Sequence, residues 1–258
     1  MADSKLKKAG FAGSVKWIHN EEGSGAKIYH SSVYFPDSLT NPKTKSGVTI
    51  DPGVDMGNCD LALINSVLNQ YYIYEVLSRK LFDKIKSAIG YKGIEAAIWI
   101  KNYGYLFKNN FMVPEPVALE IMENFTAPEY WNPLIKAMPA ILKIKDSKLK
   151  AAVHTALLDM SYNRHWTKTI LLAKEFVEKN DYAGLAKKIS LVRHSLKSLT
   201  DRRKREAGLI YAAIEMQDDF DFTFEDLKPL PVTSIASDFK ESVLKNLEFE
   251  FKHMELMK

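Results

Sequence analysis

Ser46-Gly47-Val48-Thr49-Ile50-Asp51-Pro52-Gly53-Val54-Asp55-Met56-Gly57 is the stretch on which the fold turns. Val48, Thr49 and Ile50 favour extended chain, and glycines bracket them. Upstream, from about Ala26, the β-favouring residues Ile28, Tyr29, Val33, Tyr34 and Phe35 are punctuated by Pro36, Asn41-Pro42 and Gly47. Residues 26–54 therefore read as a small, loop-rich β region, with Phe35 to Lys45 as an extended surface loop. Past Gly57 the strand signals largely stop.

Outward from this stretch, helical spacing takes over. Val15, Ile18, His19 and Glu22 fall at i, i+3, i+4 and i+7, which predicts one face of a short helix from Ser14 to Gly23. Downstream, Leu61 to Ile89, Gly93 to Lys101 and Pro116 to Asn124 read as helices, with Pro128, Pro133 and Pro139 as turns between later ones. Lys148 to Tyr162 is apolar around much of its circumference, which predicts a buried central helix. Further helices are expected near Thr167–Lys179, Tyr182–Lys188 and Ser198–Met216. The fold class is α+β: a small β-containing N-terminal lobe and a larger helical one. Residues 1–14 read as a tail, 15–216 as the domain, and 217–258 as an acidic C-terminal extension with a helix from about Asp238.

Composition narrows the class. The 46% hydrophobic and 26% charged residues suit a globular chain rather than a disordered one. Lys143 to Arg205 holds 16 Lys and Arg against 6 Asp and Glu, whereas Glu215 to Lys258 holds 5 against 11. A formal charge of +4 favours an anionic partner. The lone cysteine, Cys59, excludes an intramolecular disulfide and reads as a packed or surface thiol. The basic start, Met1 to Lys8, is not followed by the apolar run of a signal peptide, and no window is long enough to span a membrane. Synthesis in the cytoplasm without a signal peptide is the expectation, with no stable membrane insertion.

Acid–base work by carboxyl groups needs one that holds a proton and another that stays ionised or holds a water. Glu22 suits the first role, because its spacing sets it beside Val15 and Ile18 at the edge of an apolar face. Glu21 is rotated about 100° away. His19 shares the Glu22 face and reads as a structural histidine. His154, His165 and His194 show no zinc spacing, and phosphate-binding glycine loops are absent, so neither metal nor cofactor is expected.

Glu22-Gly23 followed by Lys27-Ile28-Tyr29 resembles the approach to the active site in T-even phage lysozymes. The Ser46 to Gly57 stretch is similar to the Ser-Gly-Val-Thr-Ile-Gly-x-Gly-x-Asp-x-Gly segment of pesticin-like muramidases. Ala151 to Arg164 resembles that family's buried helix, which ends in a Tyr/Phe-Asn pair, and Leu199 to Leu209 its Arg-Arg-x-x-Glu-Ala helix. The resemblance spans roughly Val15 to Ala213. It implies a lysozyme-like fold with a glycan cleft and an N-acetylmuramidase acting on bacterial peptidoglycan in the periplasm or on the wall, after release or delivery. It also implies Glu22 as general acid, with Asp55 and Thr49 binding and activating the attacking water. Tyr29, Asn163 and Arg164 become candidate substrate-binding residues, although packing is the plainer role for Tyr29 and bracing for the other two. A monomer is expected, and an immunity partner is left open.

Two departures from the family pattern stand out. Asp51-Pro52 occupies the place of Gly-x, which stiffens the turn and adds a carboxylate. His30-Ser31-Ser32 replaces the aspartate that closely follows the tyrosine in the T-even pattern, which moves the second role to Asp55 and leaves Asp51 and Asp37 in reserve. The competing class is a non-catalytic helical binding protein, whose basic run Arg193 to Arg205 would grip nucleic acid. The interleaved Leu196, Leu199 and Glu206 argue for an ordinary amphipathic helix there, so no nucleic-acid partner is expected. A third reading is a lysozyme fold that binds wall without cutting it.

Overall fold

Short polar side chains set many of the helix boundaries. The computed structural model describes residues 3–23, 29–31, 47–50, 53–107, 110–193 and 197–215. In it, Ser4, Asp60, Ser78, Asp146 and Asp181 each accept from a backbone N–H two or three residues on, satisfying donors that a helix start leaves orphaned. The surface loop expected at Phe35 to Lys45, the reserve residues Asp37 and Asp51, and the acidic extension with its helix lie outside the described residues. The chain divides into two compact units, Met1–Pro133 and Leu134–Lys258.

The first unit begins with α1 (Lys5–Lys8) and α2 (Val15–Gly23). The segment ahead of α2, a tail by its sequence, buries Leu6 and Phe11. Helix α2 buries Val15, Ile18 and His19 on one face, as the spacing predicts. Strands β1 (Tyr29–Ser31), β2 (Thr49–Ile50) and β3 (Val54–Asp55) follow, then α3 (Leu61–Ile73), α4 (Arg79–Lys86) and α5 (Gly93–Tyr103).

The single helix expected over Leu61 to Ile89 is two. The chain leaves the helix at Tyr74, turns through Glu75 at φ 56°, and restarts at the Ser78 cap. Apolar periodicity continues through the break because Leu77 is buried in the turn. A strand also occurs where none was expected: β4 (Met112–Pro114) pairs antiparallel with β1, Tyr29 opposite Pro114 and Ser31 opposite Met112.

From α6 (Glu115–Ile121) the chain passes through a π-turn at Met122–Thr126 into α7 (Ala127–Ala137). Pro128 and Pro133 therefore lie within α7 rather than marking turns. Pro128 has no N–H to continue the i→i−4 ladder, and Ala127 N–H instead reaches Met122 O, five residues back. The core of this unit joins Val48, Ile50, Val54 and Met56 to apolar faces of α3, α4 and α5 and to Phe107, Phe111 and Val113.

The second unit is helical among its described residues: α8 (Ser147–Arg164), α9 (Trp166–Glu178), α10 (Tyr182–Ser190) and α11 (Lys197–Glu215). Ala151 through Ser161 are all buried, so α8 is the central helix that its sequence predicts. Asp159 is buried with them. Its carboxylate receives Arg202 Nε at 2.7 Å and Arg202 Nη2 on the other oxygen, a two-pronged pair between α8 and α11. Arg203 Nη2 lies 2.8 Å from Glu206 Oε1, both side chains almost wholly buried. Mostly helical with two small antiparallel strand pairs among the described residues, the fold is α+β.

Candidate active site

The Ser46 to Gly57 stretch makes a hairpin whose shape follows from its glycines. Thr49 pairs with Asp55 and Ile50 with Val54, and Gly53, at φ 78°, takes the left-handed conformation that a side chain resists. Directly opposed residues of an antiparallel pair project to one face, so Thr49 and Asp55 share a side while Ile50 and Val54 enter the core.

Asp55 locks the base of the hairpin. Its Oδ1 accepts from Gly47 N–H and Gly57 N–H, each at 2.9 Å, and its Oδ2 accepts from Asn58 Nδ2 at 2.8 Å. Gly47 has no room for anything larger, since a β-carbon there would meet Gly57 N at 2.4 Å and Asp55 Oδ1 at 2.6 Å. A carboxylate offers about four lone-pair sites, so three bonds leave roughly one acceptor position on Oδ2. Thr49 is buried and donates its hydroxyl to Gly47 O at 3.4 Å, which keeps its oxygen lone pairs for another donor.

Glu22, in the last turn of α2, is half-buried, and its carboxylate comes to this hairpin. A β-carbon placed on Gly53 would lie 3.7 Å from Glu22 Oε2. Helix end and hairpin therefore meet at Gly53, just ahead of β3. His19, on the same helix face, is buried.

Two further groups gather here that sequence reasoning did not place in the site. Tyr130, in the first turn of α7, is pushed upward in pKa by burial, then by the proximity of Cys59, Glu22, Asp55 and Glu129. The Cys59 thiol is pushed up to about 11, chiefly by burial, with its backbone bond to Asp55 opposing and Asp55, Asp60 and Glu129 adding to the rise. It is a packed thiol that stays protonated near neutral pH. No sequence signal singles out Tyr130, which sits between Pro128 and Pro133 in a stretch that reads as turns.

No described contact ties the remaining candidates to this cluster. Tyr29 lies on β1, and Asn163 and Arg164 end α8 in the second unit; the side chains of all three fall outside the description. A separate depression lined by Glu75, Ser78, Lys80, Lys84 and Asn110 has one carboxylate, and its Ser78 is occupied as the α4 cap. Among the described residues no three His, Cys, Asp or Glu side chains come together as a metal site, and no helix is long and apolar enough to cross a membrane. In the basic run, Arg202 and Arg203 are buried in carboxylate pairs, which withdraws them from any phosphate backbone. Comparison with protein-family models finds no match to this chain, and comparison with curated proteins finds none either.

Proposed function

We propose that the chain is a peptidoglycan hydrolase of the N-acetylmuramidase type with a lysozyme-like fold. The observation that carries this reading is the meeting of the Glu22 carboxylate with the hairpin that holds Thr49 and Asp55 on one face. It supplies two carboxyl groups in different settings, one at a helix end and one bonded to backbone N–H groups.

In the proposed reaction, the Glu22 carboxyl gives its proton to the oxygen joining N-acetylmuramic acid to N-acetylglucosamine. The anomeric carbon–oxygen bond breaks as a water oxygen bonds to that carbon from the opposite face. The water's proton passes to the acceptor position left on Asp55 Oδ2, with Thr49 Oγ1 fixing the water. Exchange with solvent then reprotonates Glu22 and clears Asp55. If attack is inverting, as the resemblance implies, the two carboxyl groups need roughly 6.5–9.5 Å between them to admit the water. The enzyme would meet its substrate after release or delivery to the wall.

A second reading has a specific observation behind it. Three of the Asp55 acceptor sites are filled by the protein itself, and on this second reading the residue is only a hairpin brace in a domain that binds wall without cutting it. Peptidoglycan turbidity assays separate the two. The muramidase reading predicts that Glu22→Gln lowers the clearing rate by about 10²–10⁴ with the thermal midpoint unchanged. Retention of more than about a tenth of the wild-type rate would remove Glu22 from the acid role. Sedimentation with peptidoglycan and no clearing by the wild type would favour the binding reading.

A further inference from the structure

The turn between α3 and α4 is held at both ends. Val76 N–H and Leu77 N–H reach Tyr71 O at 2.8 and 3.1 Å, and Ser78 Oγ accepts from Leu81 N–H as the α4 cap. Farther along the chain, a 3₁₀ turn at Gly104–Leu106 leads to Asn110, whose Nδ2 donates to Leu106 O at 2.9 Å. These two stretches and α4 border a cleft of about 410 Å³, inside the range of roughly 300–1,000 Å³ usual for small-molecule sites. Val76, Leu81 and Leu106 give it an apolar lining. The charges that line it do not close on one another. Among the described residues, the side chains of Glu75, Lys80 and Lys84 make no ion pair or hydrogen bond, although all three border the same space. The Lys84 ammonium lies 4.0 Å from the centroid of the Tyr103 ring, which fixes where that charge sits.

We propose that this cleft binds an aliphatic zwitterion, an amino acid or short peptide with both ends free. The ligand's carboxylate meets Lys80 and Lys84, its ammonium meets Glu75, and its side chains cover the apolar lining. Because Lys84 is already held on an aromatic face, little of its freedom is left to lose on binding. The Ser78 hydroxyl hydrogen and the Asn110 amide oxygen add one donor and one acceptor beyond those spent on the cap and on Leu106. A bare anion would be repelled by Glu75 and a bare cation by the two lysines, and neither would use the apolar lining. The cleft shares no residue with the Glu22 corner, so it stands whether or not that corner cuts glycan. Wall stem peptides and ordinary peptides both carry this chemistry; the handedness of their ends separates them.

Titration of the ¹⁵N-labelled full-length protein with unblocked alanylalanine, read by amide chemical shifts, tests this. Saturable shifts centred on residues 75–84 and 104–110 are expected, with a Kd on the order of 1 mM. Glu75→Gln and Lys80→Met change exposed side chains, so both variants should fold, and each should weaken binding about tenfold. Acetylating the ligand's amine or amidating its carboxylate should do the same. Tighter binding of the D,D form assigns the cleft to the ends of wall stem peptides, and equal or tighter binding of the L,L form assigns it to ordinary peptides; either result supports the site. No saturable shift with either form overturns the proposal. So does an affinity that both variants leave unchanged, or one equal for the doubly blocked peptide.

Discussion

At the hairpin of the first unit, Asp55 is half-exposed, bonded to two backbone N–H groups and one amide, with an acceptor position to spare. In the second unit, Asp159 and Glu206 are wholly buried and stand against Arg202 and Arg203, which come from the same chain segment. Both clusters contain two acids, yet only the first keeps them where a substrate or a water can reach. The second sets them in a closed interface between helices, where Asp159 answers Arg202 and burial presses the Glu206 carboxyl beside Arg203 toward its neutral form. Carboxyl groups with spare bonding capacity at a surface are suited to chemistry; carboxyl groups consumed by buried arginines are suited to holding two helices in register.

The largest expected effect falls on the buried cluster. Asp159→Asn leaves the Arg202 guanidinium buried without its carboxylate, and urea unfolding should show a loss of about 3–5 kcal/mol. A loss under about 1 kcal/mol would mean that the cluster does not brace α8 against α11, and the contrast between the two regions would collapse.

Acid should act on the same unit through His154. This side chain is fully buried, shares a hydrogen bond with Ile141 O at 3.0 Å, and is held down to about 4, first by burial. In the unfolded chain the imidazole titrates near 6.5, so between those values the unfolded state binds more protons. Stability is then full above about pH 6.5 and falls as pH drops toward 4, by about 3 kcal/mol at most. Unfolding curves across that window check it, and His154→Gln should flatten them.

At the hairpin, Gly47→Ala forces a β-carbon against Gly57 backbone and the Asp55 carboxylate. A stability loss of about 1–3 kcal/mol is expected, together with loss of wall digestion. Gly47→Ala with full activity would show that the brace around Asp55 is dispensable. The smallest effect is reserved for Glu206. Burial, followed by the charge and hydrogen bond of Asp159, pushes its carboxyl well above the usual carboxylate range, against the pull of Arg203 and Arg202. Burial already biases this carboxyl toward the neutral form that an amide resembles, so Glu206→Gln should change stability by less than about 1 kcal/mol, in contrast to Asp159→Asn. The sign with pH is opposite to that of His154. The folded state holds the extra proton above the ordinary carboxylate range, so wild-type stability declines as pH rises toward the Glu206 midpoint, and Glu206→Gln should remove that slope.

Local rules made much of this legible in the chain. The spacing of Val15, Ile18 and Glu22 placed the carboxylate correctly at a helix end beside an apolar face, and the all-round apolar character of Lys148 to Tyr162 gave the buried α8. What escaped depends on partners distant in sequence. Met112–Pro114 is a strand because Tyr29–Ser31 lies beside it, and no three-residue run ending in proline announces that. Arg202 and Arg203 read as part of an ordinary amphipathic helix; their burial follows from Asp159, 43 residues before Arg202, and from Glu206. Pro128 and Pro133 mark turns by local preference, yet the π-turn absorbs the first and the surrounding helix carries the second. With α7 hidden, Tyr130 was hidden too.

What the Glu22 corner does to a glycan strand is read directly by mass spectrometry of peptidoglycan digested by the wild-type protein. Soluble muropeptides ending in reducing N-acetylmuramic acid are the predicted products. Products ending in reducing N-acetylglucosamine, severed peptide stems on intact strands, or undigested wall would contradict the muramidase reading.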